Sequence, residues 1–155
     1  MRLPPEGRLL GVDFGTVRIG LAICDPSQTW VTPLDTYKRR GTKLDRQHFL
    51  QLAQQERLVG IVLGLPIHCD GKESQKSSEA RDFGIWLSNV TECPVGYFDE
   101  RFTTAEARRL LGETKLSAKK KKERLDGVAA HLILSHYLES SRSDTAPRQL
   151  DDQGD

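Results

Sequence analysis

The chain has 155 residues, 37% of them hydrophobic, with 23 basic against 22 acidic side chains and a net charge of +1. That length suits one domain with a modest core and argues against several. The net charge by itself points to no partner, and no stretch approaches the ~18 apolar residues that span a bilayer. The three cysteines, Cys24, Cys69 and Cys93, are an odd number without a C-x-x-C pair. Neither a disulfide framework nor a zinc knuckle is expected from them. The opening MRLPPEGR carries no apolar signal core, so a reducing, cytoplasmic setting is expected.

In chain order, Arg8 to Asp13, Arg18 to Asp25 and Val31 to Lys38 read as strands. The link FGTVR between the first two is short enough for an antiparallel hairpin. Leu44 to Arg57 fits an amphipathic helix with Phe49, Leu52 and Ala53 on one side and Leu44 near its edge. The uninterrupted apolar run VGIVLGLP suits a strand covered on both faces, as in a parallel sheet. Residues 67–77 read as a loop, and Ser78 to Asn89 as a second helix with Ala80, Phe83 and Leu87 inward, weakened by Gly84. VGYFDERF is a further strand with acids near its end. Thr103 or Thr104 caps a short helix that stops at Gly112. Leu125 to Ser140 forms a last helix with a stripe of Leu125, Val128, Ala129, Leu132 and His136. The expected organisation is one domain over 1–140 and a disordered polar tail over 141–155.

Three strands expected to be parallel thus end in polar residues, and in open α/β sheets ligands bind at that edge. Asp13 ends the first strand, Glu100 follows Asp99 at the end of the last, and Asp126 opens the final helix. Three converging carboxylates repel unless cations balance them. Mg²⁺ or Mn²⁺ suits such an oxygen set, and a metal pair serves phosphodiester hydrolysis. Each acid also has a plainer reading: Asp13 orders the FGT turn, Asp126 is a first-turn helix acid, and Asp99 and Glu100 pair with Arg101. The catalytic reading rests on all three meeting at one edge.

Beside these, GLPIHCDG ends a buried strand. There Gly64 admits a close ligand and Pro66 stiffens the loop, or the pair simply terminates the strand. His68 and Cys69 lack a further ligand at useful spacing, and His131 and His136 miss a shared helical face, so histidine metal sites are not expected. The segment KLSAKKKKER holds Lys115, Lys119, Lys120, Lys121, Lys122 and Arg124. A solvated loop is the ordinary reading, but runs this dense usually have a polyanionic partner. Arg101 could grip a phosphate in bidentate fashion.

The blocks GVDFGTVRIGLAI, VLGLPIHCDG, YFDERFTTAEA and KKKKERLDGVAAHLIL, in that order from Leu9 to Glu139, resemble the YqgF family. It is also called RuvX, the pre-16S rRNA nuclease or Holliday junction resolvase family. The resemblance implies a ribonuclease-H-like α/β fold: a mixed five-stranded sheet of order 3-2-1-4-5 flanked by helices. It implies Asp13, Glu100 and Asp126 as catalytic, metal-holding acids, with Asp99 a candidate to share the role of Glu100. Thr16, Arg18 and the GLP loop through Asp70 and Gly71 look like the family's substrate side. Thr103 and Thr104 match its polar step after DER. His68-Cys69 departs from the usual pattern without touching the acids. The family implies a nucleic-acid substrate, with RNA favoured and branched DNA the alternative, and a monomer or weak homodimer with no membrane partner. On that substrate Thr16, Arg18, Arg101, Lys119, Lys120, Lys121, Lys122 and Arg124 are the expected contacts.

Two rivals come from other classes. GVDFGT also resembles the D-x-G-T phosphate motif of actin-like sugar kinases and chaperone ATPases. Those enzymes close two domains around a nucleotide, and 155 residues supply one. A catalytically silent nucleic-acid-binding module would use the lysines as a clamp and have no need of the acids.

Overall fold

The computed structural model describes residues 3–65, 75–99 and 127–141. In chain order these form β1 (Arg8–Asp13), β2 (Arg18–Cys24), β3 (Val31–Pro33), β4 (Tyr37–Lys38), α1 (Thr42–Gln55), β5 (Leu58–Leu65), α2 (Gln75–Thr91) and β6 (Val95–Asp99). A third helix, α3, covers residues 127–141. The six-stranded sheet has the order β3-β2-β1-β5-β6, with β4 also paired to β2. β1 runs antiparallel to β2 and parallel to β5, and β5 runs parallel to β6.

Strand alternation splits the core into two layers. Leu10, Val12, Ile19, Leu21, Ile61 and Leu63 share the cluster that holds Phe49 of α1 and Phe83 and Leu87 of α2. Leu9, Cys24 and Val62 point to the opposite face, with Ile133, Leu134 and Leu138 of α3. Among the described residues no helix is long and apolar enough to cross a membrane.

The expected mixed sheet and its order are present, with two corrections. The strand expected over 31–38 is two pieces, so the sheet has six strands rather than five. Ala22 faces Pro33, whereas Ile19 faces Tyr37, so the register slips by one residue between the pieces. The extra residue cannot pair and the strand breaks there. The buried stripe of α3 also lies elsewhere than expected. Ala130, Ile133, Leu134 and Leu138 are buried beside Ala129 and Leu132, while Val128 and His136 are half-buried. The helix is thus rotated to lay Ala130 and Leu134 on the sheet.

One acid works inside this scaffold. Asp45 of α1 is fully buried. Its carboxylate accepts from the Tyr37 hydroxyl at 2.6 Å, the Arg40 backbone N–H at 2.9 Å and the Arg39 guanidinium at 3.2 Å. Burial alone would raise its pKa, but these three donors outweigh burial and hold it below the ordinary carboxylate value. Tyr37 in turn stacks on His48 at 3.9 Å. Burial, with help from Arg40, keeps that imidazole's pKa below its usual value.

Replacing Asp45 by Asn should cost about 2–3 kcal/mol in denaturant unfolding, because an amide cannot accept three donors in this geometry. A carboxyl with a depressed folded pKa stabilises fully above its unfolded pKa. The wild-type advantage over Asp45→Asn should therefore hold at neutral pH and shrink as the pH falls below about 4.

Candidate active site

Asp13 stands where the apolar run of β1 ends, half-buried after Val12, which has no exposure. Alternation puts it on the α3 face with Leu9 and Gly11. The next residue, Phe14, packs on the other layer, 4.8 Å from the Phe83 ring and beneath the Arg39 guanidinium at 5.6 Å. The chain is thus gripped immediately after the acid. Gly15 then closes the turn so tightly that a Cβ would strike the Arg18 carbonyl oxygen.

On the α3 face the neighbours of Asp13 carry no side chains. Its cross-strand partner on β2 is Gly20. On β5, the position one beyond the Val12–Leu63 pair is Gly64. Asp13 therefore sits between two glycines on this face of the sheet, so no in-sheet side chain flanks the carboxylate. Gly64 was expected to play this part; Gly20 was not, and its signal was a glycine inside the strand pattern RIGLAI.

Helix α3 crosses β1 just before this pair of glycines. A Cβ at Gly11 would lie 2.8 Å from Leu134 Cβ and 2.9 Å from the Ala130 carbonyl oxygen. Gly127, the first described residue of α3, is about 5 Å of helix rise from that crossing. Asp13 is about 7 Å of strand from it.

Basic residues share the face. Arg18, two residues from Gly20 on β2, lies on the same side of the sheet as Asp13 by alternation. Lys38 of β4 is paired directly with Arg18 and takes the same face, while Tyr37, paired with Ile19, points into the other layer. Thr16 is exposed in the turn between β1 and β2. Asp13, Thr16 and Arg18 thus lie at one edge of the sheet. Lys38 joins this face only through its register with Arg18, which the sequence of YKRR does not show.

Asp99 behaves differently. It pairs with Leu65 and, with Val95 and Tyr97, lies on the α1–α2 face, opposite Asp13. Glu100, Arg101, Lys119, Lys120, Lys121, Lys122, Arg124 and Asp126 lie outside the described residues, as do Pro66, His68, Cys69, Asp70, Gly71, Thr103 and Thr104. Among the described residues no cluster of three His, Cys, Asp or Glu side chains could hold a metal ion. Cys24 and Cys93 are buried free thiols, and burial raises both pKa values. Neither is poised as a nucleophile.

A family model described as "RuvX: Holliday junction resolvase" matches residues 7–140. The chain belongs to the RuvX family. RuvX relatives align along most of their own length. A protein of Rhodopirellula baltica named "Putative pre-16S rRNA nuclease" is 48% identical over 139 residues, covering 90% of this chain and 80% of the relative. One of the same name from Koribacter versatilis is 41% identical over 134 residues, covering 86% and 88%. Among solved structures, Thermus thermophilus RuvC superposes with a TM-score of 0.52 at 13% identity, covering 88% of this chain and 96% of RuvC. At that identity the likeness establishes a common fold, which is the mixed α/β architecture described above.

The helix–strand crossing gives a direct test. Gly11→Ala would push a methyl against the backbone of α3, which cannot rotate away as a side chain could. It should destabilise the protein by about 1–3 kcal/mol in denaturant unfolding. Gly127→Ala, where a Cβ meets nothing within 4 Å, should leave stability near wild type or raise it.

Proposed function

We propose that this chain is a nuclease that hydrolyses phosphodiester bonds, and that it trims the 5′ end of the 16S rRNA precursor. The observation that carries the reading is Asp13. A carboxylate ends the central strand of a RuvX-family sheet, between two glycines, with Arg18 on the same face. The relatives' shared name supports the substrate.

Asp13, Glu100 and Asp126 form an all-oxygen set that fits Mg²⁺ or Mn²⁺. Bound there, the metal would activate water and offset charge on the phosphate. Glu100, not Asp99, is taken as the partner of Asp13, because Asp99 lies on the opposite face of the sheet. Asp126 directly precedes the described part of α3, whose first turn lies close to the Gly11 crossing. The protein's own groups do the remaining work. Arg18 and Thr16 bind the phosphate and fix its orientation. Gly20 and Gly64 let it approach the acid. Arg101, Arg124 and Lys119 to Lys122 hold the flanking backbone without reading sequence. We infer one catalytic domain over 1–140 followed by a polar tail, acting in the cytoplasm as a monomer or weak dimer.

A second reading is resolution of four-way DNA junctions, favoured by the description of the family model that matches residues 7–140. The deciding assay offers a 16S precursor 5′ end, plain single strands and a four-way junction to wild type and Asp13→Asn, with Mg²⁺ or Mn²⁺. We expect metal-dependent cleavage of the precursor, lost by about a thousandfold or more in the mutant while binding persists or tightens. Preferred cleavage of the junction would select the second reading. Binding without metal-dependent cleavage would leave a silent binding module.

The glycine pair gives an independent variant. Gly20→Val places a branched side chain directly beside Asp13, so cleavage should fall by about tenfold or more with substrate affinity reduced. Leu21→Ala, on the buried layer, should instead cost about 2–5 kcal/mol of stability. Its cleavage rate per folded molecule should be near wild type.

A further inference from the structure

The segment from Tyr37 to Arg46 reads YKRRGTKLDR. It holds five basic residues and one acid, Asp45, which is buried and accepts from Arg39. The acid therefore cancels one inward-held cation and leaves the outer ones unscreened. Lys38, Arg40, Lys43 and Arg46 are exposed, and Arg39 is half-buried under its contacts with Phe14 and Phe83. Arg40 is held over the Tyr37 ring at 5.5 Å.

These cations are fixed to the candidate site by main-chain pairing. The Arg39 N–H donates to the Val17 carbonyl at 2.9 Å, tying the segment to the turn that follows Asp13. Arg18 and Lys38 are directly opposed on one face. Strand spacing and rise put Lys38 about 12 Å from Asp13, Cα to Cα. That is a span of a few nucleotides of backbone.

We propose that Lys38, Arg40 and Lys43 form a phosphate-binding track that starts beside Arg18 on the face of Asp13 and passes round the β4 edge to the start of α1, carrying the nucleic-acid strand away from the site. This rests on the nuclease reading above. The track recognises phosphodiester backbone and no base, so RNA and DNA share its chemistry and differ only in what else they touch. The lysine-rich segment 115–124 and this track are separate stretches of basic sequence. The substrate is accordingly held on two sequence elements, one of them built on the sheet itself.

The test is fluorescence anisotropy of labelled single-stranded RNA and matched DNA, titrated with salt. The proteins are wild type, the triple variant Lys38→Gln/Arg40→Gln/Lys43→Gln, and Arg57→Gln. Arg57 is exposed just before β5, at the edge opposite Asp13. The triple variant removes three exposed charges and the Arg40 contact with the Tyr37 ring but no core side chain, so it should stay folded with only a slightly lowered unfolding midpoint. The track predicts that its salt slope falls by about 2, near 0.7 for each lost contact on a single strand, with affinity down about tenfold or more at low salt. Arg57→Gln should bind as wild type does. Equal effects on RNA and DNA assign the track to backbone alone, and a larger effect on one would overturn the backbone-only claim. Wild-type binding unaltered in the triple variant overturns the track and leaves the nuclease reading intact. A wild type that binds neither nucleic acid overturns both.

Discussion

Everything in this molecule is hung on β1. It is hydrogen-bonded antiparallel to β2 on one side and parallel to β5 on the other. Leu9, Leu10 and Val12 have no exposure at all. Such a strand has no freedom to shift, because a slip of one residue would exchange the contents of its two faces. Asp13 inherits that rigidity. It is the first residue at which a buried, doubly paired strand becomes polar, and Phe14 is locked into the α1–α2 layer directly after it. A carboxylate held this way is fixed in place by the fold.

The two faces of the sheet have divided the work. The α1–α2 face holds the aromatic cluster of Phe49, Phe83 and Trp86, and the buried ion pair of Asp45 with Arg39. Its charges are paired inwardly and serve cohesion. The α3 face is tightly packed around Gly11 and, two residues on, carries Asp13 between Gly20 and Gly64. Its charges, Asp13, Arg18 and Lys38, point away from the apolar layer. Period-two alternation along the strands is what sets Asp99 apart from Asp13.

Much of this was legible in the sequence. The apolar runs of β1 and β5, broken by Asp13 and by Gly64-Leu65-Pro66, located two strands and the site edge directly. The inward face of α2 was readable because Ala80, Phe83 and Leu87 keep a helical period. The break between β3 and β4 was not, since a one-residue slip leaves no mark on a pattern that a continuous strand would also satisfy. Pro33 was its sole hint. The stripe of α3 was misplaced by a residue or two because the helix is apolar on a wide arc, and the glycine on β1 chose which side packs. Asp45 gave no sign of burial: its three donors come from Tyr37, Arg39 and Arg40, and a sequence does not show that a short strand pair folds them back onto the helix. The short YKRR run was overlooked because its effect depends on register with β2, not on its own density.

The break between β3 and β4 has a consequence for how copies of this protein meet one another. β3 is the outer strand of the sheet at that side and is three residues long, ending in Pro33. A longer, regular border would offer a row of open amide and carbonyl groups to any passing extended chain. Here the row is interrupted after three residues by a proline, which has no N–H to give, and then by a change of register. An intruding strand would gain too few bonds to stay. The irregularity that made this stretch hard to read thus guards the border against strand-to-strand self-association.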